Sequence, residues 1–104
     1  MRANKNNIFN YLKELKPLLT QKQIDVVGFF GSFARDEDNI YSDIDVAIKK
    51  DKNYLKDRSA YDYFNDVDIL KNLLIKKFNR NVDIFDLDSN SAMKNDILKD
   101  LIHV

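Results

Sequence analysis

Cysteine is absent from this chain, which excludes a disulfide framework, a thiolate zinc site and thiol redox chemistry. Neither sign of charge is in excess, because Lys plus Arg and Asp plus Glu stand at 17 each. A dedicated duplex nucleic-acid binder carries a strong basic surplus, so the even balance argues against that class. Long hydrophobic runs are also missing. The segment from Met1 to Lys16 is too charged to contain the apolar region of a signal peptide, and no stretch approaches a membrane span. The expectation is a cytoplasmic protein with no membrane contact. With two glycines and one proline, the chain shows no linker, repeat or low-complexity tract. What is present is an ordinary globular composition: 104 residues, 44% hydrophobic and 33% charged. That is enough for a single domain over residues 1–104 with one core.

Periodicity divides the chain into alternating elements. Ile8, Tyr11, Leu12 and Leu15 recur at helical spacing and predict a first helix near 4–15. Pro17 is expected to interrupt it and to open a short second helix over 17–22. The apolar run Ile24, Val26, Val27, Phe29, Phe30 predicts strand one over 24–30, and Ile44, Val46, Ala47, Ile48 predict strand two over 43–49. Between them, 33–37 should make one or two helical turns. Residues 50–60 read as polar and irregular, with Lys49, Lys50, Lys52 and Lys56 in a solvated loop. A long helix follows near 61–79, carrying Phe64, Val67, Leu70, Leu73, Leu74 and Phe78 on one stripe. Strand three spans 82–87, and a last helix near 91–101 carries Met93, Ile97, Leu98 and Leu101. Phe29, Phe30, Phe64, Phe78 and Phe85 are expected in the core.

The most informative stretch is 31–45. Gly31 and Ser32 leave strand one, and ten residues later Asp43-Ile44-Asp45 opens strand two. A small residue pair between a strand and a helical turn offers backbone N–H groups and a hydroxyl to phosphate oxygens. Aspartates two apart on a strand share a face, where they repel each other unless a cation lies between them. A strand–helix–strand crossover makes strands two and three parallel, so their starting ends lie together. Asp83 therefore joins Asp43 and Asp45, whereas Asp86 and Asp88 lie toward the other end. Gly31 and Ser32, at the exit of strand one, reach that edge only if strand one runs antiparallel to strand two. The fold class expected is α/β: a small mixed sheet in spatial order one-two-three, with strands two and three parallel and helices packed against it.

Gly-Ser, ten residues, Asp-x-Asp and a third acidic residue on a later strand together resemble the minimal nucleotidyltransferases of the DNA polymerase β-like superfamily. The resemblance covers nearly the whole chain. It implies a nucleotidyltransferase fold in which Asp43, Asp45 and Asp83 are catalytic and hold Mg²⁺, with ATP as substrate. It further implies that Gly31 and Ser32, with Arg35 on the same helical face, bind the nucleotide's phosphates. Asp83 would also take the proton of the acceptor hydroxyl. Asp36 departs from the family's usual glycine, and an added negative charge there would weaken triphosphate binding.

Larger relatives carry a helical domain over the base and acceptor, and this chain ends soon after strand three. The short family form is the antitoxin of HEPN/minimal-nucleotidyltransferase toxin–antitoxin modules. The resemblance thus implies a hetero-oligomer with a HEPN-type ribonuclease toxin and transfer of AMP to a tyrosine of that partner. Two alternatives stand beside it: a non-catalytic module that masks its partner, and a transferase acting on a small molecule or an RNA end. Tyr41 is expected to pack on its own domain rather than stack on a base. His103, without a partner in the sequence, is expected at the surface with no metal.

Overall fold

The computed structural model describes residues 1–89 and 92–104. One helix, α1 (Lys5–Gln21), opens the chain, capped by Asn4, whose side chain accepts from the Asn7 N–H at 2.8 Å. The predicted break at Pro17 is corrected: Pro17 lies inside α1. Its ring forfeits one backbone bond at a cost of ~3 kcal/mol. Ile8, Leu12, Leu15 and Leu19 nevertheless form one buried stripe that continues past it. Burying Leu15 and Leu19 contributes roughly 1.5–3 kcal/mol each, enough to carry the helix through.

β1 (Ile24–Phe30) pairs antiparallel with β2 (Ile44–Lys50), and β2 pairs parallel with β3 (Val82–Asp86). These two pairings agree with the expected directions. The expected order one-two-three is corrected by a fourth strand, β4 (Ile102–His103), which pairs antiparallel with β1 and makes the order β3-β2-β1-β4. Two residues carry no alternation, so nothing in the sequence marks β4 as a strand. His103 is exposed on it, as expected. Gly28 marks where β4 docks: a Cβ there would collide with the carbonyl oxygen of Ile102.

A bulge between Val26 and Gly28 shifts the register of β1 against β2. The extra residue resets side-chain parity, so Val26 and Phe29 enter the same core although an uninterrupted strand would place them on opposite faces. That core lies on the α1 side of the sheet. It includes Ile8, Leu12, Leu19, Val46 and Ile48, joined by Leu70, Leu74 and Phe78 of α3 (Ala60–Phe78). Ala47, Leu87 and Ile97 form a smaller cluster on the other face, flanked by Phe30 and Phe85, whose centroids are 5.1 Å apart. Ile97 belongs to α4 (Lys94–Asp100). Of the apolar residues expected inside that last helix, Met93 and Leu98 are largely exposed. The predicted start of the helix at Ser91 lies outside the described residues.

The segment 50–60, read as an irregular solvated loop, is corrected by a short helix, α2 (Tyr54–Asp57). Tyr54 is fully buried. Its hydroxyl donates to Asp66, a buried carboxylate of α3, at 3.0 Å; Arg58 donates to the same oxygen at 2.7 Å, and the Lys22 ammonium lies 3.7 Å from the other oxygen. Asp66 also explains why Phe64 is not core: the buried line of α3 is Asp66, Leu70, Leu74 and Phe78, and Phe64, two residues before Asp66, points away with 69% exposure. Ser59 and Asp62 close a capping box at the start of α3.

Replacing Gly28 by Ala tests the position of β4. Alanine in a strand ordinarily gains stability over glycine, but here the added methyl meets a backbone carbonyl. Gly28→Ala should therefore lower unfolding stability by ~2 kcal/mol in urea titrations. An alanine variant as stable as the parent would contradict the docking of β4 on β1.

Candidate active site

The sheet places the predicted residues along one edge. Phe30 of β1 is opposite Asp45 of β2, which is opposite Asp83 of β3, so a single lateral row crosses three strands. Asp43 precedes β2 by one residue and, two positions from Asp45, shares its face. Gly31 leaves β1 with φ +81, and a Cβ on it would run into the Oδ2 atom of Asp45. Only glycine allows the chain to turn with its backbone against that carboxylate.

After Gly31 the chain makes one tight turn. The Arg35 N–H bonds the Gly31 carbonyl at 3.1 Å, Asp36 N–H bonds the Phe33 carbonyl at 3.4 Å, and Glu37 N–H bonds the Ser32 carbonyl at 2.8 Å. The last two bonds form a Schellman closure, whose left-handed position is usually glycine. Asp36 occupies it at φ 56. The family's glycine there thus has a backbone reason, and the 3.8 Å pairing of Asp36 with Lys5 is too exposed to offset much of the strain.

Asp45 is half-buried while Asp43 and Asp83 are exposed. Burial pushes the Asp45 carboxyl up to about 6; the negative charges of Asp83 and Asp43 act in the same direction, and Arg35 opposes them. Arg35 reaches this field but is not idle. Its Nε donates to Glu37 at 3.0 Å and its Nη1 to Asp100 of α4 at 2.6 Å. The expected phosphate ligand is thus held by two carboxylates, neither of which was singled out in the sequence.

Among the described residues, no three His, Cys, Asp or Glu side chains are gathered to hold a metal ion as they stand. The donor set still fits a hard divalent cation: carboxylates from adjacent strands, one partly desolvated, beside a glycine cradle that any side chain would fill. A hollow of about 520 Å³ lies at the opposite end of the sheet among Gln23, Asp25, Lys49, Lys50, Asp51 and Asp88. Its interleaved charges favour neither sign of ligand.

Two site features were not legible in the sequence. Tyr41, expected to pack on its own domain, is 85% exposed beside Asp43. Arg80 donates to the carbonyls of Asn39 at 2.8 Å and Ser42 at 3.0 Å, pinning the loop that leads into Asp43. Contacts across some forty residues leave no local signal.

A mixed sheet whose edge joins a Gly-Ser turn to carboxylates on two parallel strands defines a nucleotidyltransferase-type domain. The chain belongs to the polymerase β nucleotidyltransferase family, whose model matches residues 13–104. Its fold is also similar to a solved structure described as a minimal nucleotidyltransferase: TM-score 0.71 and 19% identity, with 98% of this chain and 97% of that one covered. No curated protein matches the sequence.

Two outcomes follow. A carboxyl whose folded pKa lies above its unfolded value stabilises the fold at low pH and loses that contribution as pH rises through the folded value. Metal-free Asp45→Asn should therefore melt higher than the parent at pH 8, with the gain fading across the window from about 6 down to about 4. Equal melting temperatures at pH 8 would contradict the electrostatic crowding. Asp36→Gly should raise stability by roughly 0.5–1 kcal/mol in the same assay, by relieving the left-handed aspartate.

Proposed function

We propose that the domain transfers AMP from ATP to a hydroxyl, by preference a tyrosine, of a partner protein. In this reading the partner is a HEPN-type ribonuclease toxin, and the chain acts as its antitoxin in a hetero-oligomer. The observation that carries the chemistry is the register of Asp45 beside Asp83, with Gly31 backed against the Asp45 carboxylate. Support for a protein acceptor comes from the family resemblance and from the openness of the edge, where Asp43 and Asp83 both face solvent.

Asp43, Asp45 and Asp83 would hold Mg²⁺, which when bound supplies neutralising charge at the α-phosphate. The remaining steps fall to the chain's own groups. The Ser32 hydroxyl and the leading N–H groups of its turn receive the β- and γ-phosphates. Arg35 releases Glu37 and Asp100 to bind the same oxygens. Asp83 takes the acceptor's proton as the acceptor oxygen bonds to the α-phosphorus. The bond from that phosphorus to the bridging oxygen breaks, and pyrophosphate departs with the electron pair.

One observation favours the masking alternative. Arg35 is already neutralised by two carboxylates, and Asp36 adds a further negative charge to the turn. Intact-mass measurement of the partner after incubation with this protein, ATP and Mg²⁺ separates the two. Transfer should add one or more AMP units, and Asp83→Ala should slow that gain at least hundredfold while nucleotide binding persists. A partner neutralised without change of mass would establish masking instead.

A further inference from the structure

We infer that the hollow between the 39–43 loop and the turn from α3 into β3 is a nucleobase subsite. This rests on the nucleotide-site reading above and adds what that reading leaves open: where the ring of the nucleotide lies. The hollow measures about 350 Å³, and its walls include Ile40, Tyr41, Asp43, Asn79, Arg80 and Asn81.

Tyr41 gives the first argument. Tyr41 is 85% exposed, yet the loop that carries it is closely bonded. Tyr41 N–H donates to Asn39 Oδ1 at 2.8 Å, Asn39 N–H to Ser42 Oγ at 2.9 Å, and Ser42 N–H to the Asn39 carbonyl at 3.1 Å. Arg80 fastens the same loop to the entry of β3 through two further bonds. The guanidinium also lies 5.3 Å from the centre of the buried Phe33 ring, which holds it in turn. The ring of Tyr41 is thus presented on a fixed support, and a planar base stacks on such a ring with little further ordering.

The remaining lining gives the second argument. Asn79 ends α3 in the left-handed conformation, φ 53, and turns the chain so that Asn79, Arg80 and Asn81 form the facing wall. Side-chain amides offer both donors and acceptors, which is what the edge of a base requires. Ile40 and Ile75 add apolar contact for the face of the ring. Continuity is the third argument. Asp43 lines the hollow and also belongs to the carboxylate set. The hollow thus adjoins the carboxylate edge at Asp43, where the nucleoside of a nucleotide held by those carboxylates could enter it. The occupant is the ring of the nucleoside triphosphate whose phosphates meet Gly31 and Ser32.

The test compares ATP with inorganic triphosphate, each titrated calorimetrically with Mg²⁺ into the full chain. Wild type should bind ATP more tightly than triphosphate. Tyr41→Ala should weaken ATP roughly tenfold, the loss typical of one stacked base, and leave triphosphate unchanged. Tyr41→Phe should retain ATP binding, and Asn81→Ala should alter the ratio of ATP to GTP affinity. If triphosphate binds but Tyr41→Ala leaves ATP affinity intact, the subsite is refuted and the phosphate site stands. If neither ligand binds wild type, the nucleotide-site reading fails and the subsite fails with it. Equal losses of ATP and triphosphate in Tyr41→Ala would also overturn the assignment, since the ring would then be acting on the phosphates.

Discussion

The site depends on β2 being paired on both sides in opposite senses. Antiparallel pairing brings the exit of β1 to the edge where β2 begins, and parallel pairing brings the start of β3 to the same edge. Residues fourteen to fifty-two positions apart, Gly31, Asp45 and Asp83, meet through the register of the sheet. The bulge in β1 matters for the same reason. It returns Phe30 to the face of Asp45, so the row across the three strands is kept while Phe29 fills the main core. Ordinary apolar burial then holds the sheet, and the acidic edge adds electrostatic repulsion that the core must outweigh.

How much of this was legible in the sequence follows from the range of each interaction. The three long strands came from their apolar runs, and the approach of Asp83 to Asp45 from the crossover that makes strands two and three parallel, both readable from pattern; the antiparallel sense of strand one followed only from requiring Gly31 and Ser32 at the same edge. Pro17 misled because intrinsic preference was read without the burial of Leu19 beyond it. Residues 50–60 misled because Tyr54 is buried through a hydroxyl that finds Asp66, while charged residues (Asp51, Lys52, Lys56, Asp57, Arg58) dominate the segment around it. Polar composition is a poor guide where one residue carries the packing. β4 was illegible since two residues define no period, and Arg80 was illegible since its partners lie far along the chain.

The polar groups of the interior are satisfied in two clusters. Asp66 collects Tyr54, Arg58 and Lys22, and Asp86 collects Lys50 and Tyr63. Burial and the Asp86 carboxylate together hold the Tyr63 hydroxyl protonated far above the usual range. Both clusters tie α3 or its approach to the rest of the fold, and both are removed from the edge that carries Asp43 and Asp83. The fold thus separates carboxylates that serve as structural anchors, each already answered by cations and hydroxyls, from carboxylates left facing water.

Both glycines stand where something comes too close for a side chain, Gly28 under the carbonyl of Ile102 and Gly31 against Asp45. Gly31 apart, the loops around the site contain no glycine, and Asp36 and Asn79 hold their left-handed turns with side chains in place. Rotation of the exposed Asp43 and Asp83 side chains, which takes picoseconds to nanoseconds, is then an adjustment this edge can make without any movement of its backbone. Capture of a small ligand would then be governed by encounter, with release set by how many of those rotations must be undone together.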